Sequence, residues 1–295
     1  MREFCKGLTR VGLWLVCVFL ALAPHASFAD ALTQMEAYFT APESVSGWVD
    51  TARGGMRYYA QNDELWAPLI YENSKAESIR NFGDAGCAPT AVAMAVRALV
   101  PAEELSKISA YAKREYTLCS CSLSKSNCRH RHVRYALTSD RDYERFLPLI
   151  FGDFAAGNNT MGLLSRSAGI GTGAGFIKGI AEIYGLSYNI TTDYQQALDT
   201  VRTGGIAVAL AARGGAFTNT GHYVTLIAAD EESLYVLDPL CRETYKTNYA
   251  GKLHIHQPGY VSLLLEDVKY ARLSSFMHTA ASHESFLSAN TAWAA

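Results

Sequence analysis

The run from Ala88 to Val100 is apolar around most of a helix circumference, and it constrains the fold more than any other feature of the chain. Other elements must cover such a helix on nearly all sides, because an exposed face would present apolar side chains to water. Gly86 permits a tight turn before the run, and Pro89 is typical of a first helical turn. The sequence therefore predicts a buried helix that begins near Cys87.

The chain after about residue 200 has a different pattern, made of short runs rich in β-branched and aromatic residues. Three of them, GIAVALAA, HYVTLIAAD and SLYVLD, are separated by Gly, Asn and Asp-Glu turns, which is typical of antiparallel strands. The middle of the chain favours helices, most clearly at 140–156 and 174–184. This order predicts an α+β fold in which a helical N-terminal part packs on an antiparallel sheet.

The first 29 residues have the features of a secretory signal peptide. A basic start with Arg2, Lys6 and Arg10 precedes the apolar run GLWLVCVFLALA, and small residues surround the expected cleavage site after Ala29. We therefore expect residues 1–29 to be removed and the protein to be secreted or extracytoplasmic, in the periplasm or at the cell surface. No later segment is apolar enough for a membrane span.

The rest of the chain shows neither an internal repeat nor a shift in composition, which predicts one domain. We expect an N-terminal extension at 30–57 with a turn and a short helix, the domain itself at 58–275, and a C-terminal tail at 276–295. Without the signal peptide the net charge is about −4, which argues against nucleic acid as a partner.

Export would leave five cysteines in an oxidising compartment, and an odd number leaves one without an intramolecular partner. We expect Cys87 to be that free thiol and Cys119, Cys121, Cys128 and Cys241 to form two disulfides. Zinc binding by the first three of these four with His130 and His132 is the alternative, which an oxidising compartment disfavours. No metal or organic cofactor is expected.

A thiol at the first turn of a helix lies at the positive end of the helix dipole, which favours the thiolate of Cys87. A small buried core residue is the structural alternative. His222 begins one predicted strand and Asp238 ends the next, so a hairpin turning at 230–233 brings them together. That geometry lets a carboxylate orient an imidazole that takes the proton of a thiol. Considered separately, each residue has a structural alternative: His222 is typical of a polar residue at a strand end, and Asp238 of an Asp-Pro turn.

The stretches QNDELWAPLIYEN, GDAGCAPTAVAMA, AFTNTGHYVTLIAAD and YVLDP resemble the bacterial peptidase C-thirty-nine-like group. This group is related to the double-glycine bacteriocin-processing peptidases of the papain-like superfamily. The resemblance extends from about Tyr58 to about Tyr245 and keeps the family's order. It implies a papain-like cysteine peptidase fold, with Cys87 as nucleophile, His222 as general base and acid, and Asp238 as the residue that orients His222.

The resemblance also implies a side-chain donor that shares the oxyanion with the backbone N–H of Cys87. Gln61 matches the glutamine that opens the family's first block, whereas Asn81 lies six residues before Cys87, where double-glycine and papain-type enzymes have Gln. We prefer Gln61 because the asparagine side chain is one methylene shorter. Ala88 stands where the family usually has Gly, and its methyl group is expected to crowd the cleft beside the nucleophile.

The function implied is that of a secreted cysteine peptidase that hydrolyses peptide or amide bonds through a thioester, with a peptide or protein as substrate. Two alternatives keep the same fold. One is an acyltransferase, since an amine can also resolve a thioester, and the other is an inactive module that binds a peptide or a cell-wall fragment.

Overall fold

Strands dominate the second half of the chain, and most of the helices precede them. The strands are β1 (Gly47–Thr51), β2 (Gly54–Tyr58), β3 (Ile70–Tyr71), β4 (Arg80–Asn81), β5 (Thr117–Leu118), β6 (Val133–Arg134), β7 (Arg166–Ser167), β8 (Gly171–Thr172), β9 (Ser187–Thr191), β10 (Ile206–Ala211), β11 (His222–Ala229), β12 (Ser233–Leu237), β13 (His254–Gln257), β14 (Tyr260–Leu264) and β15 (Leu273–Ala280). The helices are α1 (Phe82–Ala85), α2 (Cys87–Leu99), α3 (Asp140–Ala155), α4 (Gly175–Tyr184) and α5 (Tyr194–Arg202), with 3₁₀ helices at Ala102–Tyr111, Ala250–Lys252 and Leu265–Ala271.

This computed structural model describes residues 43–67, 70–71, 80–112, 117–118, 133–134, 137, 139–167 and 171–280. The predicted signal peptide lies outside these residues, as do Cys119, Cys121, Cys128, His130 and His132. Within the described ranges, none of the helices has the length and apolar character needed to cross a membrane.

A seven-stranded sheet forms the centre, in the order β13-β14-β12-β11-β10-β15-β9, and every neighbouring pair is antiparallel. The predicted combination of helices with an antiparallel sheet is confirmed. The predicted runs at 205–212, 222–230 and 233–238 correspond to β10, β11 and β12, and the two predicted helices to α3 and α4.

Helices α2 and α5 cover opposite faces of this sheet. The hydroxyl of Thr225 on β11 donates to the carbonyl oxygen of Ala91 on α2 at 3.0 Å, so the face with Thr225 meets α2. Val224 and Leu226, one residue to either side, belong to the core that contains Leu198 of α5. Since successive strand residues point to opposite faces, the two helices lie on opposite sides.

Helix α2 is buried as its composition predicts. All residues from Ala88 to Val96 are buried, and the helix packs against both the sheet and α3. Gly86 precedes it because a Cβ atom there would lie 2.5 Å from the ring of Phe82, closer than any side chain tolerates. The close approach of Phe82 thus requires glycine where the helix begins.

The hairpin between β11 and β12 turns where the sequence predicts it. Asp230 Oδ1 accepts hydrogen bonds from the backbone N–H groups of Glu232 at 2.8 Å and Ser233 at 2.6 Å. Such a side-chain acceptor stabilises the turn, as short polar residues commonly do. The hairpin therefore returns the chain so that His222 and Asp238 lie at the same end.

Two sequence-based boundaries differ from the structure. Strand β15 lies between β10 and β9, and its residues Phe276 and Met277 are buried, so the domain end predicted at 275 falls inside a core strand. The short helix predicted in PESVSGWVD, residues 42–50, is wrong for the described residues 43–50, because this stretch enters β1, which forms a hairpin with β2. Arg53 at its turn donates to the carbonyl oxygens of Gly204, Gly205 and Ile227, which anchors the hairpin to the sheet.

Asp63 connects the segment before β1 to the loop that follows β2. Its buried carboxylate accepts from the backbone N–H groups of Ser44 at 3.1 Å, Val45 at 3.0 Å, Ser46 at 2.9 Å and Leu65 at 3.0 Å. Burial opposes ionisation, but these four donors outweigh it and hold the pKa of Asp63 below its ordinary value. The carboxylate therefore fixes a loop that begins only two residues earlier, at Gln61.

We expect Asp63→Asn to lower the free energy of unfolding by roughly 1–3 kcal/mol at neutral pH, because an amide places N–H groups against N–H donors. Urea unfolding measures the loss, and Glu64→Gln, an exposed neighbour, is the matched control. Since the pKa of Asp63 is lowered in the folded state, its contribution is present at neutral pH and lost as the pH falls through that pKa. A difference between Asp63→Asn and wild type that persists fully in acid would contradict this account.

Candidate active site

Cys87 is the first residue of α2, and its half-buried thiol faces β11. The imidazole of His222 and the backbone N–H groups of Tyr223 and Ala88 lie close enough to the sulfur to stabilise its charged form. Burial favours the neutral thiol, but the hydrogen bond and charge of His222 and the two N–H donors outweigh it, so the pKa of Cys87 lies below its ordinary value.

His222 is the first residue of β11 and is buried. Its Nε2 lies 2.6 Å from Oδ1 of Asp238, which leaves Nδ1 for the thiol of Cys87. Burial alone would lower the pKa of His222, but the adjacent Asp238 carboxylate reverses this and raises it to about 9. The imidazole is therefore held between a thiol and a carboxylate.

Asp238 follows β12 directly, and its side chain is inaccessible to solvent. Oδ1 accepts from His222 and from the backbone N–H of Leu240 at 2.8 Å, while Oδ2 accepts from Arg242 Nη2 and from the hydroxyl of Tyr245, each at 2.8 Å. Burial disfavours the carboxylate, but the charges and hydrogen bonds of His222 and Arg242 lower the pKa of Asp238 to about 2. The carboxylate is thus ionised and held on both oxygens.

The two candidate oxyanion donors have different surroundings. Gln61 is buried, its Nε2 donates to the carbonyl oxygen of Gly83 at 2.6 Å, and its backbone N–H donates to that of Pro239 at 2.7 Å. It therefore lies between the segment before Cys87 and the turn after Asp238. Its Oε1 has no hydrogen-bond partner within the described part of the chain.

Asn81 has a structural task that Gln61 lacks. Its Oδ1 accepts from the backbone N–H of Asp84 at 2.8 Å and so caps the N-terminus of α1. The capping bond restrains Asn81 through its oxygen, as the bond to Gly83 restrains Gln61 through its nitrogen, and the choice between the two donors stays a prediction. Ala88 is fully buried, so its methyl group packs inside the protein, and its effect on the cleft stays a prediction.

Sequence reasoning does not single out Arg242 and Tyr245, although both contact the carboxylate of Asp238. The available signal is weak: an Arg lies four residues after Asp238 in the turn DPLCRETY. A polar side chain in such a turn has the same local pattern whether it faces solvent or a buried charge.

Cys241 is a free thiol in the structure, but Cys119, Cys121 and Cys128 lie outside the described residues, so the two predicted disulfides stay a prediction. Its side chain lies beside the hydroxyl of Tyr58, and its backbone N–H and carbonyl oxygen bind the amide of Asn62 at 3.0 and 3.2 Å. These contacts hold Cys241 against the loop that carries Gln61. The structure describes two cysteines, Cys87 and Cys241, and both are free thiols.

His254 and His256 lie exposed on β13 with their rings in an edge-to-face contact at 4.6 Å. In the parts of the chain that the structure describes, no group of three or more His, Cys, Asp or Glu residues is arranged to hold a metal ion.

The model of the Peptidase_C39 like family matches residues 55–257, a range that contains Cys87, His222, Asp238 and Gln61. No match was found among the curated proteins or the solved structures with which the chain was compared. Because the family model covers more than half of the chain, including both elements that meet at Cys87 and His222, the protein belongs to the Peptidase_C39 like family.

Proposed function

We propose that this protein is an exported cysteine peptidase with a papain-like fold, which hydrolyses peptide or amide bonds through a thioester. The observation that carries the proposal is the position of His222, which lies beside the thiol of Cys87 and is hydrogen-bonded to the carboxylate of Asp238. The family to which the chain belongs supports a peptide or protein as the substrate.

The electrostatics of the three groups favour a thiolate–imidazolium pair. The pKa of Cys87 is lowered mainly by His222 against the effect of burial, and the pKa of His222 is raised to about 9 mainly by Asp238. Both shifts favour the charged sulfur and the protonated imidazole over the neutral pair. They therefore favour ionisation of the nucleophile before the substrate binds, as in other activated cysteines.

In the proposed reaction, the Cys87 thiolate attacks the carbonyl carbon of the scissile bond and the carbonyl π electrons move to oxygen. His222 gives its proton to the leaving amine as the C–N bond breaks, and a thioester remains on Cys87. His222, now neutral, takes a proton from water as that water attacks the thioester. Loss of the sulfur then releases the carboxylic acid and restores the ion pair.

The oxyanion of the tetrahedral intermediate needs donors, and we assign this role to the backbone N–H of Cys87 and the side-chain amide of Gln61. The N–H of a first helical residue has no acceptor within its own helix. One hydrogen of Gln61 Nε2 is bound to Gly83, and an amide nitrogen carries a second hydrogen for an oxyanion.

The reactivity of Cys87 tests the ion pair without knowledge of the substrate. We expect limiting iodoacetamide, mapped by peptide mass across about pH 4 to 9, to label Cys87 rapidly and with an inflection below the value of about 8.5 for a free thiol. His222→Ala should slow this labelling, because the partner that stabilises the thiolate is lost.

Cys241 provides an internal control in the same experiment, because burial raises the pKa of its thiol and it should label slowly near neutral pH. Labelling of Cys87 at the rate of an ordinary thiol, regardless of His222, would remove the basis of the proposal. The inactive binding module would then be the better account.

Turnover gives a second test, with release of new amino groups from a denatured protein as the assay. Cys87→Ala should abolish turnover, whereas Asp238→Asn should retain a weak activity because the thiolate–imidazolium pair survives partial loss of its orienting group. Asp238→Asn should also move the alkaline limb of the activity profile to lower pH, since the carboxylate that raises the pKa of His222 is gone.

Cys241→Ala is the matched control for Cys87→Ala, because it also removes one thiol. The thiol of Cys241 lies beside Tyr58 and has no part in the proposed reaction, so this variant should keep most of the activity. Wild-type turnover by Cys87→Ala would exclude Cys87 as the nucleophile. Product analysis with an added amine separates hydrolysis from acyl transfer: free carboxylate products support the peptidase, and amide products support the transferase.

Export is tested by expressing the full chain in a bacterium with a secretory pathway. We expect the protein in the extracytoplasmic fraction with a mature N-terminus at Asp30, as the small residues before that position predict. N-terminal sequencing measures it, and Arg2→Glu combined with Lys6→Glu should reduce export by removing the basic start. Retention of the uncleaved wild-type chain in the cytoplasm would contradict this part of the proposal.

A further inference from the structure

Two side chains hold the oxygen of Asp238 that does not face His222. Arg242 donates to Oδ2 through Nη2 at 2.8 Å and Nε at 3.3 Å, and the hydroxyl of Tyr245 donates to the same atom at 2.8 Å. Asp238 itself is wholly buried, so these donors and those on Oδ1 replace the water that an exposed carboxylate would bind. Without them the ionised form would be costly.

Arg242 also connects the two segments that carry His222 and Asp238. Its Nη2 donates at 3.0 Å to the carbonyl oxygen of Phe217, which lies in the loop that leads into β11 and His222. The same nitrogen therefore binds the carboxylate on one segment and the backbone of the other. A planar guanidinium with several donors suits such a bridge, whereas an ammonium group does not offer that geometry.

Tyr245 fixes Arg242 as well as Asp238. Its ring lies beneath the guanidinium, 4.4 Å from the Cζ atom of Arg242, and meets the ring of Phe217 edge to face at 6.1 Å. The hydroxyl at the far end of this ring reaches Oδ2. Arginine, tyrosine and the Phe217 backbone thus form one contact network around a single carboxylate oxygen.

A carboxylate that is free on one side can turn about its Cβ–Cγ bond, and Oδ1 would then leave the line to His222 Nε2. With both oxygens bound in fixed directions, this rotation breaks several hydrogen bonds at once. We propose that Arg242 and Tyr245 are positioning residues, which keep Asp238 ionised and in the orientation that holds the imidazole of His222. The inference rests on the proposed thiol mechanism, in which Asp238 acts through His222.

The group that reports this role is the imidazole of His222, which faces Cys87 on α2 and Asp238 after β12. Asp238 in turn faces Arg242 and Tyr245, and its backbone carbonyl accepts from Tyr58 of β2, next to Cys241. Each proposed substitution leaves His222 and Cys87 in place. A change in the titration of His222 therefore reports the orientation of the carboxylate between them.

The test follows the His222 Cε1–H resonance by NMR through a pH titration of the full protein, with the resonance assigned by its absence in His222→Ala. Arg242→Lys keeps the charge and loses the bridge, and Tyr245→Phe loses one hydroxyl. Both should lower the midpoint of His222, and Asp238→Asn should lower it further, by roughly one unit or more below wild type.

Because both residues act through Asp238, Asp238→Asn combined with Tyr245→Phe should titrate like Asp238→Asn alone. Matched controls are Arg202→Lys and Tyr249→Phe, two exposed residues that should leave the midpoint unchanged. Thermal unfolding verifies the fold of each variant. Should Arg242→Lys not fold, Tyr245→Phe decides the question, since it removes a single oxygen atom.

Two results would overturn the inference: a His222 midpoint that is unchanged or raised in a folded Tyr245→Phe protein, or a further fall when Tyr245→Phe is added to Asp238→Asn. Failure of the proposed function has a separate signature, namely alkylation of Cys87 that is independent of His222. The titration of His222 is measured in the same protein whichever way that labelling result falls.

Discussion

A buried negative charge on Asp238 is the constraint on which the surrounding structure depends. An isolated carboxylate in an apolar interior costs several kcal/mol, of the order at which a folded domain becomes unstable. Hydrogen-bond donors at the start of β11 and in the turn after β12 offset this cost. They are His222, Leu240, Arg242 and Tyr245. The position of the imidazole is therefore a consequence of the same contacts that make the charge tolerable.

The backbone of Asp238 is bound as firmly as its side chain. Its N–H donates to the carbonyl oxygen of Gly259 at 2.8 Å, and its carbonyl oxygen accepts from the hydroxyl of Tyr58 at 2.7 Å. Gly259 has a positive φ of 82°, and a Cβ atom there would lie 2.1 Å from the Tyr58 hydroxyl oxygen. The turn before β14 thus requires glycine for its backbone and for the space that Tyr58 occupies.

The sequence predicts those elements of the fold that depend on a pattern of neighbouring residues. The apolar run after Cys87 leaves a helix no exposed face, and the short turn at Asp230 forces the ends of β11 and β12 together. Strand β15 escapes prediction because its partner β10 lies far earlier in the chain, so nothing near Phe276 shows that it is covered. The contact between Arg242 and Asp238 is not predicted for a related reason, because only the three-dimensional path of the turn brings the guanidinium to the carboxylate.

One hydrogen bond between β11 and the buried helix α2 helps to explain why the thiol of Cys87 lies beside the imidazole of His222. The Thr225 hydroxyl on β11 donates to the carbonyl oxygen of Ala91 on α2, and this fixes the register of helix against strand. Ala91 lies about one helical turn after Cys87, a rise of roughly 6 Å, and Thr225 lies three strand residues after His222, roughly 10 Å. A slip of the helix by one residue would move the sulfur by about 1.5 Å along the axis and rotate it by about 100°. Such a slip would also rotate every buried side chain of α2 out of its packing position. The polar bond and the close packing around it therefore act together to place Cys87 opposite His222.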